Sequence, residues 1–244
     1  MAFILVSNDD GFASPGTRAL VRELKKKHEL FIAVPDRNYS WIGTCSNTKI
    51  PVKVKKKRLD GLVWHVFNSP PVDCVNIALT HLVKKKPDAI VSGINAGLNN
   101  SAALTSGTIA AAEHGAWFGL VALAASVGFS EPKKFEERDS IQYPFYAPAA
   151  KITSKILDVL LEEKKDAAGR VFNVNFPQEI TGEKVFLTNV QKVSPFPYFG
   201  KKNNFFVHLK PRARVTKLDA AGDIAAFERG RISLTPLKRF ETVD

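Results

Sequence analysis

The chain of 244 residues is 45% hydrophobic and 24% charged, a balance that excludes disordered and fibrous classes and fits a compact folded unit with a smaller appendage. Its two cysteines, Cys45 and Cys74, are too few for a disulfide scaffold, and no apolar run nears the ~20 residues of a membrane-spanning helix. The formal charge of +11, from 35 basic and 24 acidic residues, attracts anions without choosing among phosphorylated metabolites, nucleic acid and acidic proteins.

Residues 3–7 read as a buried strand, and 17–27, with Leu20, Val21 and Leu24 on one face, as an amphipathic helix. Met1 to Val6 is apolar but Asn8, Asp9 and Asp10 follow at once, so no export signal is expected and a cytoplasmic location is. A second apolar strand at 30–34 completes a strand, helix, strand unit, the mark of a parallel sheet with right-handed crossovers. Between 49 and 68, Val52, Val54, Leu62, Trp64 and Val66 alternate around Asp60-Gly61, which predicts a β-hairpin.

The rhythm then resumes, with helix 72–83, strand 88–94, helix 108–117 and strand 120–127, followed by a long helix at 146–163 and a strand at 170–176. From about Gly182 the texture changes to short strands at 185–190, 205–209 and 231–237, rich in aromatics and prolines. The expected architecture is a doubly wound, mostly parallel α/β core over 1–181 and a smaller β-rich extension over 182–244, suited to oligomerisation. Lysine bursts, including Lys25 to Lys27, Lys55 to Arg58 and Lys84 to Lys86, read as solvated surface at element ends. No arginine-rich tail or aromatic-interleaved patch accompanies them, so a nucleic-acid partner is not expected.

In such a core, ligands bind beyond the carboxyl ends of the strands. Asn8, Asp9 and Asp10 follow the first strand, Asp36 to Ser40 the second, and Ser92 to Asn99 a later one, so all three groups fall on one rim. Carboxylates, a hydroxyl and a carboxamide make an all-oxygen set suited to a hard cation such as Mg²⁺ or Mn²⁺. The five histidines show no paired ligand spacing and the cysteines no C-x-x-C, which disfavours zinc. Ser106-Gly107-Thr108 opens a helix whose N–H groups and positive dipole end suit a phosphate. Taken singly, Asp9-Asp10-Gly11 is an ordinary polar turn and Ser106 to Thr108 an ordinary helix cap; a cation site beside an anion seat points to phosphoryl chemistry. His114 beside Glu113 reads as a helix-surface pair, Asp73 and Cys74 as a cap and a packed thiol. Trp41, Phe196, Tyr198 and Phe199 are candidates for stacking on a base, or else core and interface residues.

At this point the chain resembles the SurE (survival protein E) nucleotidases. The matching text is Ser7 to Gly11 with Pro15-Gly16, Pro35 to Asn38 with Ser40, Pro71 to Val75, Val91 to Gly97, Ser106 to Thr108 with Ala111 to Glu113, and Asp223 with Ser233 to Leu237. The resemblance implies a divalent-metal phosphatase acting on nucleoside 5′- and 3′-monophosphates and assembled as a homodimer or homotetramer. It assigns metal ligation by Mg²⁺ or Mn²⁺ to Asp9, Asp10, Ser40 and Asn95, and places Asn99, Ser106, Gly107 and Thr108 around the phosphate. Asp9 and Asp10 are then the catalytic carboxylates, with Asp9 as nucleophile or as base for a water.

Three departures stand out. Trp41 follows Ser40 where relatives usually carry glycine; residues 100–105 hold no acid and are one residue shorter; and the chain stops seven residues after Leu237. The altered loop leaves a second reading open, a catalytically weak or inactive SurE-fold protein that binds nucleotide or RNA. A haloacid-dehalogenase-like phosphatase requires D-x-D after the first strand, which adjacent Asp9 and Asp10 do not supply, and a dinucleotide-binding dehydrogenase requires G-x-G-x-x-G.

Overall fold

A computed structural model of the chain describes residues 1–100, 105–129, 142–191, 193, 199–208 and 219–240. Strand β1 (Phe3–Ser7) is wholly buried and leads through a polar turn into α1 (Pro15–Leu24). Ser14 caps that helix by accepting from Thr17 N, and Pro15 stands at the first helical position, where its missing N–H costs nothing. Next come β2 (Glu29–Pro35), the hairpin β3 (Val54–Leu59) and β4 (Leu62–Phe67), and α2 (Pro71–Ile77). The helix expected over 72–83 is α-helical only to Ile77; a π-helical turn, Ala78–Leu82, follows and ends at extended Val83. Apolar periodicity does not distinguish the two windings.

The chain continues with β5 (Ala89–Ala96), α3 (Gly107–Trp117), β6 (Val121–Val127), α4 (Tyr143–Glu162), the short α5 (Lys164–Ala167) and β7 (Arg170–Phe176). The last elements are β8 (Val185–Leu187), the ribbon strands β9 (Phe199–Lys202) and β10 (Phe205–His208), α6 (Asp223–Glu228) and β11 (Ile232–Arg239).

A nine-stranded sheet runs in the order β3-β4-β2-β1-β5-β6-β7-β11-β8. From β4 to β7 every pair is parallel, β3 and β11 are antiparallel to their neighbours β4 and β7, and β8 lies parallel to β11. Thus the mostly parallel α/β sheet expected from the sequence is present. The β-rich tail contributes β11 and β8 to the edge of this same sheet, while β9 and β10 form a separate two-stranded ribbon. Of the strand expected over 185–190, only Val185–Leu187 pairs regularly.

Alternation along the strands feeds two apolar layers. Ile4, Val6, Ile32, Val34, Ala89 and Val91 pack with α1 and α4, whereas Leu5, Ala33 and Ile90 pack with α2 and α3. Helices therefore cover both faces, which leaves the strand ends for ligands. From β1 the chain winds outward to β2 and β4 on one side and to β5, β6 and β7 on the other, so the winding reverses between β1 and β5. That crevice is where open α/β sheets seat their ligands.

The burst Lys55 to Arg58 does not sit at an element end as expected. It forms the body of β3, and its side chains are exposed along the sheet edge, where cationic side chains discourage edge-to-edge pairing. The β3–β4 turn has both Asp60 (φ 54°) and Gly61 (φ 79°) in left-handed conformations, as a two-residue hairpin requires. Asp60 also receives Arg18 Nε at 3.0 Å on Oδ2 and Arg22 Nε at 2.9 Å on Oδ1, tying the hairpin to α1. Arg18 first, and Arg22 with it, hold the carboxyl down at about 2 against the opposing effect of burial.

Asp60→Asn preserves the left-handed backbone, which Asn tolerates, and removes only the charge. It should lower stability by about 1–2 kcal/mol at neutral pH, a figure reduced for the partly exposed arginines. Because the folded-state carboxyl titrates below its ordinary value, this contribution is complete above pH 3.8 and is lost as pH falls through about 2. Urea unfolding of the two proteins should therefore converge across that window; a difference independent of pH would assign the effect to turn geometry instead of charge.

Candidate active site

The turn after β1 is built around Asn8. Its Nδ2 donates to Gly11 O at 2.9 Å and to Thr17 Oγ1 at 2.6 Å, and its Oδ1 accepts from Gly11 N at 3.1 Å. Fully buried and committed to this turn, Asn8 is a structural member of the polar group expected on the rim. Its hydrogen bonds set the path along which Asp9 and Asp10 leave the sheet.

The two aspartates reach different elements, as adjacent side chains at a strand end tend to do. Asp9, 4% exposed, points to the amino end of α3, where Thr108 Oγ1 donates to its Oδ1 at 2.6 Å. Asp10 Oδ2 accepts from Ala96 N at 3.3 Å, at the carboxyl end of β5. Burial prevails and holds the Asp9 carboxyl above its ordinary value, although the Thr108 hydroxyl and the backbone N–H groups of Gly107 and Thr108 pull the other way. A carboxylate among aligned helix-terminal dipoles has electrostatic compensation that burial alone would deny it.

Gly107 is required for that approach. A Cβ at this position would lie 2.7 Å from Asp9 Cβ and 3.0 Å from its Oδ2, closer than a side chain tolerates. Ser106 is the N-cap of α3, with Oγ accepting from Ile109 N at 3.1 Å. Three of the four residues expected around a phosphate, Ser106, Gly107 and Thr108, therefore lie at the helix end that meets Asp9, with Ser106 capping and Thr108 bonded to the carboxylate.

Asn95 lies near the end of β5, beside Ala96. Its Nδ2 donates to Gly97 O at 2.8 Å, which commits the amide nitrogen and leaves Oδ1 as the acceptor of this side chain. Ser40 is half-buried, and its N–H donates to Asn38 Oδ1 at 2.7 Å. The loop carrying Ser40 is tied down on both sides, since Tyr39 N donates to Asp9 O at 2.7 Å and Gly43 N donates to Thr105 O at 2.9 Å. Asp9, Ser40, Asn95 and Ser106 thus share one rim at the β1/β5 crevice.

Asn99 is held by residues that the sequence reading missed. Its Nδ2 donates to Ser126 Oγ at 3.0 Å, its N–H to Asn175 Oδ1 at 3.1 Å, and its carbonyl accepts from Asn173 Nδ2 at 2.6 Å and Asn175 Nδ2 at 3.0 Å. Asn173 and Asn175 are buried, two apart, on one face of β7. A polar pair at period two inside an apolar strand was the available signal.

Asp73 accepts from Ser46 Oγ at 2.6 Å, Asn47 N at 2.9 Å and Ser69 Oγ at 2.5 Å, anchoring the loop before the hairpin in addition to lying in the first turn of α2. Burial pushes the Cys74 thiol up, consistent with a packed, unreactive side chain. His114 is not the surface residue expected: it is half-buried, accepts from Asn76 Nδ2 at 3.0 Å and rests against Trp117 and Phe118. Burial draws its pKa down, with Asp73 acting the other way. Phe196 and Tyr198 lie outside the described residues; Phe199 is exposed on the β9–β10 ribbon.

Among the described residues, no three His, Cys, Asp or Glu side chains converge, so a cation at this rim must draw on neutral oxygens as well as on Asp9 and Asp10. Carboxylate, carboxamide and hydroxyl oxygens are the donor chemistry of Mg²⁺ and Mn²⁺. The residues present fit such an ion.

Residues 4–194 match the family model described as Survival protein SurE. The chain is 35% identical over 242 residues to the 5′-nucleotidase SurE of Legionella pneumophila (strain Paris), covering 96% of this chain and 90% of that protein. It is 33% identical to the 5′-nucleotidase SurE of Chloroflexus aggregans, with 97% and 92% covered, and 31% identical to the 5′/3′-nucleotidase SurE of Proteus mirabilis, with 97% and 90% covered. Among solved structures, the SurE protein from Aquifex aeolicus matches with a TM-score of 0.72 at 28% identity, covering 99% of this chain and 95% of that one.

Thr108→Val keeps the side-chain shape and deletes the donor to a buried carboxylate oxygen. It should destabilise the fold by about 1–3 kcal/mol in chemical denaturation, the cost of an unpaired buried acceptor. Gly107→Ala should cost at least as much, because α3 must retreat from Asp9. Wild-type stability in both variants would show that the carboxylate does not depend on this helix end.

Proposed function

This chain belongs to the survival protein SurE family, and from that premise we propose that it is a phosphomonoesterase that hydrolyses nucleoside 5′- and 3′-monophosphates to nucleoside and phosphate with a divalent cation. The observation that carries the reading is the 2.6 Å contact from Thr108 Oγ1 to Asp9 Oδ1, which joins the carboxylate rim to the amino end of α3. Nucleotidase names among relatives that match nearly the whole chain support the substrate class.

Asp9, Asp10, Asn95 and Ser40 would hold Mg²⁺ or Mn²⁺. Such an ion supplies Lewis acidity toward the phosphoryl oxygens and offsets charge on the dianion. The chain's own residues do the rest. The α3 end, with Ser106, Gly107 and Thr108, seats the phosphate. Asn99, fixed by Ser126, Asn173 and Asn175, would complete the surroundings of the phosphate. Asp9, adjacent to both cation and phosphate positions, is the residue placed to act on the reacting centre, as nucleophile or as base toward water. Water supplies the oxygen that replaces the ester oxygen on phosphorus, and the nucleoside leaves as its alcohol.

Phosphate release from AMP should require Mg²⁺ or Mn²⁺, stop on chelation and return when the ion is restored. Asp9→Asn should lower kcat/KM by about a thousandfold, as loss of a group acting at the reacting centre does. Undiminished release by that variant would remove Asp9 from the chemistry. Nucleotide binding without turnover under either ion would instead favour the non-catalytic binder.

We also propose that the protein is a homodimer or homotetramer and that the β9–β10 ribbon lies in the interface. Phe205 and Phe206 are each 70% exposed and Phe199 is 55% exposed, a cost in water that association offsets. Phe205→Ser with Phe206→Ser should shift sedimentation toward the monomer; an unchanged oligomer would place the contact elsewhere. No helix among the described residues is long and apolar enough to cross a membrane, and a cytoplasmic location remains part of the proposal.

A further inference from the structure

Trp41 combines two features that folding alone does not favour. Its backbone is left-handed, with φ 67°, a conformation in which a bulky side chain is strained. Its large apolar side chain is also 43% exposed. The other described non-glycine residues with positive φ are Ala13, Asp60 and Asn203, and the last two occupy hairpin turns.

Position gives the strain a use. Trp41 directly follows Ser40 and is the middle residue of the span from Tyr39 to Gly43. Tyr39 N is bonded to Asp9 O, and Gly43 N to Thr105 O, one residue before the Ser106 cap of α3. The span therefore bridges the carboxylate rim and the α3 end, and Arg37, 5.0 Å over the Tyr39 ring, braces its approach. A bulky residue held in left-handed backbone beside the rim is an outlier of the kind that clusters at ligand clamps.

We propose that Trp41 is a specificity-determining residue, its indole the surface on which the base of a nucleoside monophosphate stacks while the phosphate lies at α3. The proposal rests on the phosphomonoesterase reading of this site. Stacking needs only a π-face, so it selects for nucleotides over sugar phosphates without choosing one base, and purines gain more than pyrimidines through their larger face.

The test compares AMP with ribose 5-phosphate, which carries the same phosphoester without the base. Trp41→Gly suits the left-handed backbone and should fold. It should reduce the ratio of kcat/KM for AMP over ribose 5-phosphate about tenfold, and Trp41→Phe should restore most of it. Equal losses on both substrates, or an unchanged ratio, would overturn the platform. Calorimetric binding of adenosine and of ribose, the same pair without the phosphate that the rim carboxylates repel, reads the same contrast in the absence of turnover. Failure of the wild type to release phosphate would count against the hydrolase reading, whereas a wild type that binds adenosine no better than ribose would count against Trp41.

Discussion

A carboxylate buried at the end of a strand is expensive unless donors meet it, and the arrangement of this protein turns on how Asp9 is met. Its partners come from α3, about a hundred residues further along the chain: the Thr108 hydroxyl and the first backbone N–H groups of the helix. The contact forms only because β1 and β5 are neighbours at the winding reversal and α3 is the crossover that follows β5. It also needs a residue without a side chain at 107. Fold, partial charge compensation and site geometry therefore depend on one juxtaposition.

The rest of the rim is organised from the backbone outward. Main-chain bonds attach the Ser40 loop to Asp9 and Thr105, Asp10 accepts from the end of β5, and asparagine side chains of β7 clamp the main chain of Asn99. Such bonds leave little freedom in the loops although loops carry most of the polar groups. That is the usual division of labour in α/β proteins, in which a rigid sheet positions functional loops. The main chain that carries these side chains is bonded across elements, which limits how far the rim can rearrange.

Much of this was legible in the sequence because it depends on local pattern. Apolar runs at 3–7, 30–34, 88–94 and 120–127 are strands that are buried on both faces, and polar residues following them had to lie on one rim. Ser106-Gly107-Thr108 announced a helix start. What the sequence concealed depends on contacts that carry no residue-type signal. A hydrogen bond from Asn175 to the main chain of Asn99 does not reveal its partner, and the turn-building role of Asn8 is indistinguishable in text from ligation. The π-turn after Ile77 shares its apolar spacing with an α-helix. The joining of β11 to β7 depends on a long-range antiparallel pairing that strand propensity does not specify.

The charge distribution bears on how an anion is accepted. Although the net charge is +11, much of the lysine excess lies on exposed edges such as β3, where solvent and salt screen it. At the rim itself stand Asp9 and Asp10. A helix end offers the equivalent of roughly half a positive charge, and in this fold Asp9 already draws on it. Two carboxylates against half a positive charge leave the crevice unfavourable to a phosphate dianion. Under the proposed reaction, Asp9 and Asp10 would hold a divalent ion whose charge would offset theirs and leave the α3 end available to the phosphate.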